Sequence, residues 1–409
     1  MDLQKLIDSG NDILIKKGTY EVKPLFLHSN LNLTFEDGVV IKPILSDDYD
    51  LIKTRVAGIN IMWYPAILNI INCKNVTIKG KALIDGLGEY FWNKYWGEDF
   101  NGGMRKEYDS LGLRWACDYD CKRLRSVLVQ ESSNINIYDL DLYRSGFWNM
   151  HILYSHDITI KNINIRTVDK ESPSTDGIDI DSSYNVVVDS CTTDCFDDSI
   201  CIKSGRDYDG IITNIPTHDV EIKNCIIKRG FGITIGSEVS GGIYNINIHD
   251  NKFYNTDCGF RIKSSKERKG YIRNIKIYNL ELINVKYTFN MVTEWNPMYN
   301  KIELKDGIDM KPEWQNIIHP VDNNISNTII DDIEISNVRS TITPNYNGIS
   351  RLFNIIGFDD VPMNNIIIDN LVSYTKEYGI IKNANVSINE SDINYDVIID
   401  KVNNEFDNR

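Results

Sequence analysis

The sequence predicts an all-β protein folded as a parallel β-helix, a chain that coils so that each turn stacks on the last. A short pattern recurs in it: Asn or Asp, an aliphatic residue, any residue, and a second aliphatic residue. Between positions 135 and 275 the pattern returns after 23, 28, 34, 26 and 29 residues. One such unit cannot bury its aliphatic face alone, so stacked units are indicated. Apolar and polar residues alternate in each unit as they do in β-strands, and no useful helical periodicity appears. The number of repeats leads us to expect about ten coils.

The elements follow from this pattern in chain order. Residues 11–43 hold a strand-rich opening with Gly18 and Gly38 at turns. The Asn and Asp residues of the pattern are turn formers, and stacking should place them above one another. They are Asn75, Asn134, Asp157, Asn185, Asp219, Asn245, Asn274, Asp332, Asn365 and Asp396.

Two longer gaps, 79–133 and 276–331, are where loops should leave the coils. They carry five tryptophans that should mostly cover the flank of the solenoid, although some could wall a cleft. These are Trp92, Trp96, Trp115, Trp295 and Trp314. No linker or low-complexity segment divides the chain, so residues 1–409 are predicted to form a single domain.

The net charge is −14 and the isoelectric point is near 5.0, which argues against a nucleic-acid binder. No apolar stretch is long enough to cross a bilayer, so no membrane partner is predicted. An acidic ligand would be repelled by the overall field, so a site for one must carry its own cations. The oligomeric state is not indicated by the sequence.

The eight cysteines suggest reduced, buried thiols. Cys191 and Cys225 occupy the same phase of successive coils, and a ladder of small buried side chains is favoured there over a disulfide. Cys117 and Cys121 are not completed by a Cys/His quartet, so no metal is predicted. No secretion signal is visible at the start. The expected location is therefore cytoplasmic if the sequence is full length, and extracellular if a leader was removed.

Three carboxylates form the candidate site: Asp176, Asp197 and Asp198. The last two follow Asp176 by 21 and 22 residues. A spacing close to the repeat should place them on neighbouring coils, one strand spacing apart. Strand alternation points three cations outward on nearby coils, namely Lys203, Arg261 and Lys263. Alternation alone cannot put Asp197 and Asp198 on one face unless the chain bends there.

Carboxylates this close cannot all be ionised comfortably, so at least one pKa should rise. A protonated acid beside ionised carboxylates is the arrangement that glycoside hydrolysis requires. Adjacent cations would suit a substrate that carries its own carboxylate. From the residues alone, hydrolysis of an acidic sugar competes with a simpler interpretation, a solvated ladder of Asp-rich turns.

The segments STDGIDI, DDSICIKSGRD, GFGITIGSE and RIK resemble, in the same order, the motifs of the polygalacturonase family, the family-28 glycoside hydrolases. With IDGLGEYFW and RSGFWNMHI, the resemblance covers roughly residues 70 to 280. It implies a right-handed parallel β-helix, an inverting hydrolase of α-galacturonosidic bonds, and a pectic substrate, with no cofactor or metal.

By that resemblance Asp197 is the general acid, and Asp176 and Asp198 hold the attacking water. Arg261 and Lys263 would bind the galacturonate carboxylate next to the cleaved bond, with Lys203 in the same cationic cluster.

Two positions depart from the family motifs: Ser174 replaces Asn, and Phe231 replaces a histidine beside the carboxylates. The histidine is also missing from some relatives that cut rhamnogalacturonan, so the chain resembles exo-acting or rhamnogalacturonan-type members more than endo-polygalacturonases. Phe231 is therefore expected in the substrate site. The alternatives are a rhamnogalacturonan galacturonohydrolase, a calcium-dependent pectate-lyase-like β-helix, and a non-catalytic carbohydrate-binding β-helix.

Overall fold

The computed structural model describes residues 2–168, 171–315 and 317–395, and it confirms the parallel β-helix. Eleven parallel strands form the first sheet, called here the site sheet. They are Leu25–Phe26, Ala66–Ile71, Arg125–Gln130, Met150–Leu153, Ile178–Asp181, Ile200–Lys203, Ile233–Ile235, Cys258–Lys263, Tyr287–Val292, Arg351–Ile356 and Glu377–Lys382. One strand per coil gives eleven coils among the described residues, close to the number expected.

The second sheet holds 22 strands, usually two per coil, and closes the remaining sides. They are Asp12–Ile15, Gly18–Val22, Asn32–Phe35, Val39–Pro43, Lys74–Lys79, Leu83–Asp85, Ser133–Tyr138, Asp141–Tyr143, His156–Lys161, Asn164–Arg166, Tyr184–Asp189, Thr192–Asp194, Thr217–Lys223, Ile226–Ile227, Ile243–His249, Lys252–Tyr254, Tyr271–Ile283, Ile329–Ile330, Ile333–Thr341, Met363–Tyr374, Ala384–Asn389 and Asp392–Asn394.

The remaining elements lie outside the coils or cap them. Strands Ile52–Val56 and Ile59–Trp63 form an antiparallel hairpin. The helices are Leu3–Ile7, Glu89–Trp96, Gly103–Ser110, Arg114–Asp120, Asp207–Thr213 and Pro297–Asn300, with a 3₁₀ turn at Pro312–Trp314. Within the described ranges, no helix has the length and apolar character needed to cross a membrane.

Strand register follows the repeat seen in the sequence. Ile135 pairs with Ile158, Ile158 with Val186, and Val186 with Val220, and the series continues to Ile246 and Ile275. The side chains of these positions are buried and form one continuous aliphatic column. The uneven steps therefore reflect loops of different length inserted between constant strands.

The predicted turn residues stack at one corner. Those among the described residues have left-handed backbone angles, such as φ of 55° at Asn134, while Asp396 lies outside the described residues. Asn and Asp adopt this conformation more readily than other residues with side chains. The Asn134 Nδ2 donates to Asn75 Oδ1 at 2.8 Å, and Asn274 Nδ2 donates to Asn245 Oδ1 at 2.6 Å. The corner is thus held by side-chain amides that bond from coil to coil.

Cys191 and Cys225 follow paired strands on successive coils, and both are buried and free of a disulfide. Where residues 79–133 leave the coils, they carry the three helices of residues 89–120. The second excursion is shorter than expected, because strands Tyr271–Ile283 and Tyr287–Val292 stay in the coils and the chain leaves only after residue 292. Trp92, Trp115 and Trp314 are buried under these excursions, as the flank-covering interpretation expected.

Candidate active site

The site is built on the outer face of four consecutive strands of the site sheet, from Ile178–Asp181 to Cys258–Lys263. Alternation sends the isoleucines inward and leaves a column of polar side chains facing outward. Asp179 pairs with Cys201, Cys201 with Thr234, and Thr234 with Arg261. Because strands are about 4.8 Å apart, residues distant in sequence become neighbours here.

Asp176, Asp197 and Asp198 lie in the turns that lead into these strands, not in the strands themselves. The turns stack in register, since the Gly177 amide donates to the Asp198 carbonyl oxygen at 2.9 Å. This removes the difficulty with alternation, which applies only within a strand. Asp176 and Asp198 each bring a carboxylate oxygen within 4.8 Å of the other and of the Cys201 sulfur. Asp197 lines the same pocket as both of them, so the three predicted carboxylates form one cluster.

Asp198 is fully buried and is surrounded by donors. Lys263 Nζ bonds its Oδ2 at 2.6 Å, Arg261 Nη1 bonds Oδ1 at 3.3 Å, and Thr234 Oγ1 donates to Oδ1 at 2.8 Å. Burial favours the neutral acid, but the charges of Lys263, Arg261 and Lys203 outweigh it and lower the pKa of Asp198 to about 2. Asp198 is thus ionised over the whole working range of an enzyme.

The pKa values of Asp176 and Asp197 are shifted in the opposite direction, upward. Burial and the charge of Asp198 raise the pKa of Asp197, although Lys263 opposes the shift. Burial, followed by the charges of Asp197 and Asp179, raises the pKa of Asp176 well above its usual value. The cluster therefore combines one carboxylate of lowered pKa with two of raised pKa, the division that acid–base catalysis needs.

Lys203 lies at the floor of the pocket and is engaged with acids on three sides. Its Nζ lies 3.2 Å from Glu238, 3.6 Å from Asp179 and 3.7 Å from Asp176. The indole of Trp148 covers it, with the ring centroid 5.1 Å from Nζ. Glu238 stays ionised, because nearby cations, Lys203 first among them, outweigh burial and lower its pKa well below the usual range.

Phe231 is adjacent to the cluster through its backbone, whose amide donates to the Asp197 carbonyl at 3.0 Å. Its ring lies against the Arg261 guanidinium, 4.6 Å from centroid to Cζ. Trp295 contacts the other cation, with Lys263 Nζ 4.6 Å from its ring. The two aromatic rings hold the cations in place by cation–π contacts.

The pocket over the carboxylates is walled by residues that were not proposed as site residues from the sequence, although four of them lie inside the matching segments. Glu238, Ser237, Phe147 and Trp148 come from the coils, and the others come from the hairpin and the excursions: Ala57, Arg114, Asp118, Trp295 and Tyr299. Of these, only Trp295 was singled out in the sequence as a candidate cleft residue. Glu238 is the last residue of the GFGITIGSE segment, so an acidic residue inside a matching motif was the available signal.

We expect Lys263→Met to move the acid limb of the pH–rate profile of kcat/KM to higher pH. An ion pair of this kind lowers a carboxyl pKa by about 1–3 units, so its removal should shift the limb by about one unit or more. The sign follows because Asp198 must be ionised, and a higher pKa means protonation begins at higher pH. Initial rates on an acidic oligosaccharide across pH measure the limb.

Lys266→Met is the matched control, because Lys266 pairs at 2.8 Å with Glu294 on the exposed surface. Its profile should be that of the parent protein. An acid limb unchanged in Lys263→Met would contradict the role given to the Lys263–Asp198 pair.

Comparison with known proteins gives concordant results. The family model for glycosyl hydrolases family 28 matches residues 53–391, a wider span than the motifs alone. A probable polygalacturonase from Vitis vinifera is 32% identical over 274 residues, which is 65% of this chain and 50% of that protein. The chain thus spans half the length of that relative.

An endo-polygalacturonase from Pectobacterium parmentieri is 26% identical over 325 residues, 76% of this chain and 73% of the relative. The crystal structure of an exopolygalacturonase from Thermotoga maritima superimposes with a TM-score of 0.76 at 21% identity, covering 95% of this chain and 85% of that one. That structural likeness supports the fold.

Proposed function

Because this chain belongs to glycosyl hydrolases family 28, we propose that it hydrolyses α-galacturonosidic bonds in pectic oligosaccharides or polysaccharides, from a chain end and with inversion. The observation that carries the proposal is the opposite pKa shift of adjacent carboxylates, Asp197 upward and Asp198 downward. A solvated ladder of Asp-rich turns would leave these groups exposed, whereas Asp198 is fully buried and Asp176 nearly so.

In the proposed reaction Asp197 gives its proton to the glycosidic oxygen as the bond from that oxygen to the anomeric carbon breaks. A water held between Asp176 and Asp198 attacks the anomeric carbon from the opposite face and loses a proton to Asp198. The products are a sugar with inverted configuration and a leaving alcohol. The closeness of Asp176 and Asp198 supports a shared water, because their oxygens lie within 4.8 Å.

Local charge supports an acidic substrate. The protein carries −14 overall, yet Lys203, Lys263 and Arg114 line the pocket and Arg261 stands beside Lys263. The acids of lowered pKa that line it, Asp198, Glu238 and Asp118, are each paired with a cation. The pKa values of the other two, Asp176 and Asp197, are raised, which favours their neutral forms. A galacturonate carboxylate therefore meets a locally positive surface inside a negatively charged protein.

The exo mode is supported by the way one end of the pocket is walled. Ala57, in the turn of the hairpin formed by residues 52–63, lines the pocket beside Tyr299. The next residue, Gly58, packs so tightly that a Cβ atom there would lie 2.4 Å from the Arg206 Cβ and 2.7 Å from the Glu238 Cγ. A wall packed this tightly supports a pocket that receives the end of a chain and not the middle of a polymer. The Thermotoga protein of similar fold is named an exopolygalacturonase.

The test is incubation with oligogalacturonides and, separately, with rhamnogalacturonan oligomers, with products followed by mass and by NMR of the new anomeric centre. We expect galacturonate monomers from the first substrate, each product gaining one water, with inverted configuration at first appearance. Unsaturated products that need calcium would show a lyase and overturn the proposal. Preferred cleavage of rhamnogalacturonan would overturn the assigned linkage, and internal cleavage would overturn the exo mode.

A further inference from the structure

Arg114 lies on the wall of the pocket formed by the first excursion, outside all the motifs that identify the family. It begins the helix Arg114–Asp120, and it lines the same pocket as Asp176, Asp197 and Asp198. We propose that Arg114 is a specificity-determining residue that binds the carboxylate of the non-reducing terminal sugar. The inference rests on the proposed exo hydrolysis of galacturonans.

The contacts of Arg114 hold the guanidinium in place without using all of its donors. Its Nη1 bonds Asp118 Oδ2 at 2.5 Å, one turn along the same helix. Its Cζ lies 5.3 Å from the centre of the Tyr299 ring. Among the described residues, Nε is buried and has no hydrogen-bond partner. Asp118 therefore leaves one edge of the guanidinium, the edge that carries Nε and Nη2, without a carboxylate. Such an edge can form a bidentate hydrogen bond with a carboxylate.

Buried polar groups are normally hydrogen-bonded. Several described arginines have a buried Nε without a partner, and Arg114 is the one among them that lines this pocket. The Arg114 side chain is not sealed off, because 13% of it remains exposed and it lines the pocket. Asp118 does not cancel the charge completely, because it is shared with Arg123, whose Nη2 lies 3.5 Å from Oδ1. A ligand carboxylate completes both the hydrogen bonding and the charge balance of Arg114.

The pocket thus has cations near it from two parts of the fold, the later coils and the first excursion. Arg261 and Lys263 bond Asp198 from the later coils. Arg114 comes from the first excursion and contacts the ring of Tyr299, whose hydroxyl lies 3.3 Å from Glu238 Oε1. Digalacturonate carries two carboxylates, one on each side of the bond to be cleaved. Arg261 and Lys263 suit the carboxylate on the leaving side, and Arg114 suits the one at the walled end.

The test compares three substrates: digalacturonate, its methyl ester at the non-reducing residue only, and its methyl ester at the reducing residue only. Esterification removes one charge and keeps the sugar. For the parent protein, kcat/KM should fall for both esters. In Arg114→Gln, kcat/KM on the free acid should fall by about 10- to 100-fold, the value of a charge-assisted hydrogen bond, chiefly through KM. The discrimination against the non-reducing ester should disappear, while that against the reducing ester should persist.

Arg105→Gln is the matched control, because Arg105 makes the same kind of pair with Asp109, at 2.7 Å, on the neighbouring helix and does not line the pocket. It should keep all three rates. Arg114→Lys keeps the charge but loses the bidentate geometry of the guanidinium, so it should show intermediate discrimination against the non-reducing ester. It replaces Arg114→Gln if that variant does not fold.

If Arg114→Gln lowers the rates on the free acid and the non-reducing ester by the same factor, Arg114 does not bind this carboxylate and the inference is wrong. If the parent protein cleaves none of the three substrates, the proposed function itself fails.

Discussion

Asp197→Asn should lower kcat by about 10²- to 10⁴-fold, the usual contribution of a general acid, while KM stays within a few-fold. The amide keeps the shape of the side chain but cannot release a proton to the leaving oxygen. Burial and the charge of Asp198 raise the pKa of Asp197, which is the direction that a general acid requires. Steady-state rates on oligogalacturonides and binding of the same oligomers by calorimetry measure the two effects separately.

Asp194→Asn is the control for this substitution. Asp194 lies three residues earlier in the same coil and pairs with Arg229 at the surface. Its loss should leave kcat unchanged. An Asp197→Asn protein that turns over at the parent rate would end the assignment of the acid, and with it the proposed mechanism.

Ile222→Asp should prevent folding. Ile222 is fully buried between Val188 and Ile248 of the neighbouring coils, so the new carboxylate would enter the aliphatic column without a partner. An unpaired buried charge costs several kcal/mol or more, which is comparable to the whole stability of many proteins. Soluble yield and circular dichroism measure the outcome.

The matched control for Ile222→Asp places the same side chain on the outer surface of the same sheet. Asn136 is half-buried, and its Oδ1 accepts from the Tyr138 hydroxyl at 3.1 Å, a role that a carboxylate keeps. Asn136→Asp should therefore fold. Cooperative folding of Ile222→Asp would contradict the register of the coils.

The register of the second sheet could be predicted from the sequence because the repeat is local. Asn134 and its counterparts mark the same corner in each coil, so spacing alone aligns Ile135 with Ile158 and Val186. The candidate cluster of carboxylates was found through the resemblance of short segments to family motifs, which sit at fixed places in the coil. Phe231 is close to Asp197, as expected, but its ring faces Arg261 and does not line the pocket.

The walls of the pocket could not be predicted in this way. Ala57, Arg114 and Tyr299 come from a hairpin and two excursions that have no periodicity, and only the folded chain brings them to the carboxylates. The shared face of Asp197 and Asp198 was also inaccessible, because alternation does not describe a turn. The spacing of the repeat therefore predicts which residues stack in the coils. It does not predict the position of the hairpin and the excursions that cover them.

The four strands that carry the candidate site lie near the middle of the stack, and this position affects the order in which the coils should unfold on heating. They are the fifth to eighth of the eleven described strands of the site sheet, with four before them and three after. A stacked solenoid behaves nearly as a one-dimensional chain of neighbours, in which terminal units fray before central ones. The first and last coils should therefore unfold before the coils that carry the site. On heating, activity should persist after the first loss of β-structure.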